Sequence, residues 1–438
     1  MKKLFILLFI IALILPLYAQ EAEPDKIKEL DENMSNRNTT GSNANEEPYI
    51  KQDTEFAKNL GPPPKKSFNF ARQHFELGFD AGAGADNGLI TTGELFKKNV
   101  EINMSQLANN VGKDGAGLNF DIDGDFFINI MNIPIQGGIW DIGVFGAADG
   151  GINFNLPQSL FILMSEGNIK HHSSSGTISA SGGVYADTGL NVSAKYENLK
   201  IGVKPALYAP LLFIPKSGIT YNLKAEETFS LDAEGGIIMY GPLVENDELQ
   251  FGFDMSLEGE YALYTFLDVG GSLSHIPLAA AQLENGTQYS LDGLHYEISL
   301  NPDNQTNGQN SSELDFEPHD YKGSVKVFQP LRFDIYARYK PYDSEFVVVK
   351  PNLGFSVDMN EHEGYFNAGI EGQVNLKNLF IVHLGIGYQE SIWRNRLGFA
   401  LNLRAFELDI EGSLRSQNFV GSWTGQGFGL NIGIRFGW

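Results

Sequence analysis

The 438-residue sequence has no cysteine, which excludes a disulfide framework and attachment of lipid through a thiol. Beyond residue 20 it also lacks any apolar run near the eighteen or so residues of a membrane-crossing helix. Basic residues are scarce: 31 Lys and Arg face 54 Asp and Glu, a formal charge of −23. A surface so acidic does not seek nucleic acid. No G-x-S-x-G elbow or comparable pairing of nucleophile and base occurs. The expectation is therefore a chain that is not an enzyme and uses no cofactor.

Lys2 and Lys3 precede an unbroken apolar run from Leu4 to Leu15, followed by Pro16 and by Leu17-Tyr18-Ala19. A basic start, a dozen apolar residues and a cleavage site make a secretory signal peptide over residues 1–19. Residues 20–66 are rich in Glu, Asp, Lys, Asn and Ser and end in Gly61-Pro62-Pro63-Pro64. They carry too little apolar surface to offset chain entropy, which implies a flexible periplasmic extension with a stiff end. As a plug threaded into a lumen it would have only Phe56 and Leu60 as apolar anchors.

Alternation of period two dominates the remainder. In Gly427 to Trp438 the even positions are Phe428, Leu430, Ile432, Ile434, Phe436 and Trp438, whereas the odd ones are glycine, Asn431 and Arg435. Successive strand side chains point to opposite faces, so this strand is apolar on one side only. The same template fits Phe75 to Ala81, Leu118 to Ile130, 176–196, Leu331 to Tyr339, Val347 to Met359, Phe366 to Leu376, Phe380 to Tyr388 and Leu397 to Leu403. At Arg404-Ala405 the phase switches to Phe406, Leu408 and Ile410, which marks a hairpin. Short turns (404–405, 377–378, 341–344) alternate with long polar connections (416–426, 301–322), the asymmetry of outer-membrane barrels. We expect an all-β protein, one antiparallel transmembrane β-barrel over residues 67–438 with about 14 strands, 12 to 16 being compatible. Patches 90–112 and 156–167 read as short helices.

Asp121, Asp123 and Asp125 share one strand face with Gly124 between them. A calcium loop would need Gly and Glu where Phe126 and Asn132 stand, so a solvated lumen face is the better reading. Glu258, Asp334 and Glu371 fall on the same kind of face. His171-His172 has no partner ligands at metal spacing. Tyr339, Tyr388, Trp393 and Trp438 suit interface anchors. Pro205, Pro210 and Pro215 fall within eleven residues; proline removes ladder hydrogen bonds, so they should interrupt their strand, opening a lateral gap in a barrel wall or marking a segment above the membrane.

The stretch from Phe75 to Asn168, with G-F-D-A-G-A-G-A-D-N-G-L-I and L-P-Q-S-L-F-I-L-M-S-E-G-N, together with the proline run, resembles spirochaete outer-membrane barrels grouped with the FadL-like long-chain fatty acid transporters. The resemblance covers about a third of the chain and lacks the Asn-Pro-Ala signature of those transporters, so no binding residue carries over. It implies a 14-stranded barrel with an N-terminal plug and a lateral exit for apolar ligands. The expectation is a channel or transporter in the cell outer membrane for small, chiefly hydrophobic molecules. Its partners would be outer-membrane lipid, the ligand, and the barrel assembly machinery acting through the C-terminal strand. The alternatives are a cation-preferring porin, from the acidic face, and a non-transporting adhesin, from the 301–322 loop.

Overall fold

The structure, a computed structural model, describes residues 74–87, 111, 115–135, 137–166, 172–225, 228–244, 248–299, 318–341, 346–377, 379–403 and 405–438. Residues 1–73 lie outside it, and with them the expected signal peptide, the extension, Phe56 and Leu60. All described strands belong to one antiparallel sheet of seventeen. The first five are β1 (Phe75–Asn87), β2 (Ala116–Ile135), β3 (Gly138–Leu156), β4 (His172–Tyr196) and β5 (Leu199–Ala225). Then come β6 (Thr228–Met239), β7 (Gly252–Tyr264), β8 (Leu267–Ala279), β9 (Ala281–Ser299), β10 (Pro318–Val327) and β11 (Leu331–Tyr339). The last six are β12 (Val347–Asp358), β13 (Glu363–Leu376), β14 (Phe380–Gln389), β15 (Ile392–Asn402), β16 (Phe406–Ser416) and β17 (Gly427–Gly437).

The sheet closes on itself. The first strand pairs with the last from Glu76↔Gly437 to Asp86↔Gly427, and with β2 from Phe75↔Ile130 to Asn87↔Leu118. Closure matters because hydrocarbon offers no partner for an exposed strand edge. Fourteen strands make the wall, and β6, β9 and β10 are built on top of it. The stacking arises from the length of β5. Its 27 residues would reach roughly 90 Å at strand rise, far more than a tilted strand needs for a bilayer. Its lower part, Leu199 to Tyr208, pairs with β7, and its upper part, Gly218 to Ala225, pairs with β6. Likewise β8 continues into β9 and β10 into β11, so that β8 and β11 pair in the wall while β9 and β10 pair above it.

Side-chain alternation sorts the two faces of the wall. Phe79, Ile122, Phe126, Leu190, Leu207, Phe333, Phe355, Phe366, Ile370, Leu384, Phe399 and Leu430 all lie exposed on the outer face. So much open apolar surface on a closed sheet fits lipid and not water. Aromatic pairs ring the rim that carries the short turns: Phe75 with Trp438 (4.6 Å between ring centres), Trp140 with Tyr196, Tyr264 with Phe266, Phe266 with Tyr339, and Phe406 with Phe436. The opposite rim has Tyr388 with Trp393, and Trp393 against Phe419. Two helices lie at that far rim, α1 (Gln158–Glu166) and α2 (Phe419–Thr424). The first falls within the 156–167 patch read from the sequence; 90–110 lies outside the described residues. The expected 301–322 loop needs correcting at its end, since 318–322 begin β10.

Removing Phe436 to Trp438 takes away the partners of Leu77 and Phe406 and the ring stacked on Phe75. It also leaves strand groups of β1 and β16 unpaired, on the order of several kcal/mol each in lipid. Heat-modifiable migration of the truncated chain in gels should be lost while secretion continues; normal membrane levels of folded protein would contradict the closure argument.

Candidate functional site

The inward face carries charge of both signs. Asp121, Asp123 and Asp125 on β2, Glu258 on β7, Asp334 on β11 and Glu371 on β13 all alternate with outward apolar residues, which places them on the lumen side. Basic residues meet three of the six. Arg415 pairs with Asp121, Lys204 lies 3.2 Å from Glu258, and Arg396 lies 4.0 Å from Glu371. Asn431 donates to Asp123 at 3.0 Å. One set of contacts crosses the lumen: Arg332 of β11 approaches Asp149 of β3 (3.8 Å) and Glu390 at the end of β14 (3.3 Å). The sequence reading singled out the acids and passed over these arginines, although Arg394, Arg396, Arg415 and Arg435 occupy the polar phase of their strands in plain view.

The proline run does not break its strand as expected. Residues 199–225 form one continuous strand, and β4 pairs with it nearly throughout. What gives way is the register, which shifts between the Tyr185↔Pro210 and Val184↔Leu212 pairs and again between Ile214 and Ser217. On the other side the three prolines separate. Pro205 sits inside an uninterrupted pairing with Met255 of β7. Pro210 and Pro215 fall in the stretch 209–217, where β5 has left β7 and has not yet met β6. That stretch is bridged instead by the end of β6: Phe213 and Tyr240 exchange backbone hydrogen bonds of 2.9 and 2.8 Å, and the Leu243 N–H donates to Leu211 O at 3.1 Å. Beyond it Leu249 and Phe251 are exposed apolar residues.

Inside this junction is a buried core of Tyr185, Tyr208, Phe213, Tyr240, Ala281, Leu283 and Val327. The Tyr208 hydroxyl lies 3.1 Å from Ala279 O and 2.9 Å from Val327 O, and accepts the Ala281 N–H at 3.3 Å. One phenol thus ties β5 to the places where β8 becomes β9 and β10 becomes β11. The β12–β13 hairpin folds over the same region: Asn360 exchanges two hydrogen bonds with the Phe328 backbone (2.9 and 2.7 Å), and Glu361 accepts from the Lys216 N–H at 2.7 Å. At the outer surface Lys216 Nζ lies 2.8 Å from Glu363, which holds the Glu363 carboxyl below its usual range and Lys216 above its own.

Two cavities of about 240 Å³ open on the inward face. One is bounded by Glu260, Tyr336, Arg338, Lys350 and Glu371, with the Lys350 ammonium 4.5 Å from the Tyr336 ring centre. The other lies between β3, β4, β5, β7 and β8. Among the described residues no group of His, Asp and Glu is arranged to hold a metal ion.

No family model matches the chain. No curated protein matches it either. Solved structures similar to it include the P. putida toluene transporter TodX, at 9% identity over 85% of this chain and 92% of that one, with a TM-score of 0.45. Others are the Ralstonia pickettii toluene transporter TbuX (9%, 85% and 91%, TM-score 0.39) and a Pseudomonas aeruginosa FadL homologue (9%, 84% and 91%, TM-score 0.44). The likeness to FadL-type structures is loose, and what this barrel carries has to come from its own residues.

Replacing Tyr208 with Phe removes the hydroxyl from three backbone groups of the junction, a loss of about 1–3 kcal/mol if they stay buried. The midpoint of urea unfolding from lipid vesicles should fall accordingly; an unchanged midpoint would show that the phenol ties nothing.

Proposed function

We propose that this protein is an outer-membrane barrel transporter that takes up small, chiefly apolar molecules and releases them sideways at the junction of β5, β6 and β7. The observation that carries the reading is the coincidence of two features. The buried aromatic core fills the interior at the level where the wall ladder is interrupted, and the interruption is spanned by a few backbone hydrogen bonds of 240–243 in place of a strand. A ligand in contact with that core has lipid within reach once residues 240–244 move, and need not cross water. The paired charges of the lumen support a barrel that does not conduct ions steadily, since Arg415, Lys204 and Arg396 offset the acidic groups on which a cation-preferring porin would depend. Residues 20–66 would close the remainder as a plug, with Phe56 and Leu60 as anchors.

In planar bilayers the intact protein should be silent, whereas deletion of residues 21–60 should raise ionic conductance sharply; unchanged conductance would make the extension a spacer. The prolines divide the route. Replacing Pro210 and Pro215 with Val supplies two N–H donors to the interrupted stretch and should slow toluene or fatty acid entry into proteoliposomes several-fold. Pro205→Val, inside the continuous β5–β7 pairing, should leave entry as it was. Equal behaviour of the two variants would remove the lateral exit and leave a plain porin as the better reading.

A further inference from the structure

The second cavity, between β3, β4, β5, β7 and β8, is lined by Phe145, Ala147 and Ala206 and by Asp149, Asp187, Lys204, Asp254, Glu258 and His275, with Ala147 beside Asp187 and Ala206 beside Asp254 in register. Asp187 and Ala206 are the inward residues next below Tyr185 and Tyr208 on their strands, so the cavity lies under the aromatic core. Its carboxylates are unequally provided for. Lys204 answers Glu258, and Arg332 answers Asp149. Asp187 accepts a 2.6 Å hydrogen bond from the Gln329 amide, a neutral donor. Asp254 is 1% exposed; its Oδ2 lies 3.0 Å from His275 Nδ1, and its Oδ1 has no hydrogen-bond partner among the described residues. Gln329 is buried as well, and its Oε1 is similarly unpartnered.

Buried acceptors without donors are costly and uncommon in folded proteins. Asp254 Oδ1 is such an acceptor in the lining of this cavity, where carboxylates alternate with Phe145, Ala147 and Ala206 beneath tyrosine rings, and that lining suits a ligand with an apolar body and N–H donors. The local backbone is committed to the arrangement: His275 is held at φ 57°, in the left-handed region, while its N–H donates to Ser256 Oγ at 3.1 Å.

We infer that this cavity is a binding site for a small organic ammonium ion, its N–H groups directed to Asp254 Oδ1 and Asp187 and its hydrocarbon part against Phe145, Ala147 and Ala206. A carboxylate and aromatic faces together favour such a cation over a neutral analogue. At about 240 Å³ the space is below the ~300–1,000 Å³ of drug-sized ligand sites, which limits the occupant to a single ring or a short chain. The site names one substrate class for the transporter proposed above and rests on that reading only for its role in uptake; the recognition chemistry stands without it.

The test is binding of benzylamine to the full-length protein in detergent by isothermal titration calorimetry, with benzyl alcohol as the uncharged control. Benzylamine should bind and benzyl alcohol should bind at least about tenfold more weakly, the scale of a charge-assisted hydrogen bond in a buried site. Asp254→Asn should weaken benzylamine by about tenfold or more and leave benzyl alcohol unchanged. Heat-modifiable migration reports whether the variant is folded; if it is not, Asp187→Asn is read in its place, with the same expected loss. Equal binding of amine and alcohol, no binding of benzylamine, or full benzylamine affinity in a folded carboxylate variant would overturn the inference. Uptake of benzylamine and of toluene into proteoliposomes is measured in parallel: binding without transport of either would sink the transporter reading and leave the ammonium site standing.

Discussion

The rest of this structure depends on a closed ladder of backbone hydrogen bonds. A strand in hydrocarbon has no water to fall back on, so an unpaired edge is far more costly there than on a soluble sheet. The pairing of β1 with both β17 and β2 removes the last edge, and the aromatic pair Phe75 and Trp438 sits where the two ends of the barrel wall meet. Once the ring is closed, alternation decides everything else: one phase must be apolar, and the other is free to carry whatever the lumen needs. That freedom explains why Asp, Arg, Asn and Ser can follow one another along the inner face of β16 and β17 while the outer face, apart from Gly412 and the terminal Ser416, is Phe, Leu and Ile.

The ladder is under pressure at one place, and function is best sought there. Strand β5 changes neighbours partway along its length, and a strand that changes neighbours has to leave some of its groups to makeshift partners. Tyr240 and Leu243 are those partners. The buried tyrosines behind them are a physical necessity as much as a candidate ligand surface, since they exclude water from a stretch whose backbone pairing is thin. Tyr208 serves both ends: its ring packs edge to face with Tyr185, and its hydroxyl shares one proton between the Ala279 and Val327 carbonyls.

Most of the barrel was legible because period two is a local property. The phase switch at Arg404-Ala405 located the β15–β16 hairpin, and the short turns at 341–344 and 377–378 fell where strands do end. The three strands above the wall were not legible. Nothing local in Thr228 to Met239 says that β9 and not β8 will be its partner, because the choice follows from where β5 leaves the bilayer. The prolines misled for a related reason. A proline forfeits one donor, and whether this breaks a strand depends on which neighbour wanted that donor. At Pro205 pairing with Met255 survives, whereas at Pro210 the cost appears as a shifted register.

The inner face shows the same limit in electrostatic form. Reading the acids alone, Asp121, Glu258 and Glu371 look like a cation pathway, because strand phase tells which residues face inward but not which of them meet across a closed cylinder. Closure brings Arg415 of β16 to Asp121 of β2, nearly three hundred positions away in the sequence, and sets Arg332 between Asp149 and Glu390. With those charges matched, the groups left without a counterpart carry more information than the groups that are numerous. Asp254 and Gln329 are each nearly fully buried and each short of a donor, at the one level where the barrel also trades its ladder for packed aromatics. Asp86, Asp125 and Arg435 also have a buried atom without a partner among the described residues, but Asp254 combines that with a place in the lining of a cavity of about 240 Å³, so it is there that a ligand can supply the donor that the fold does not.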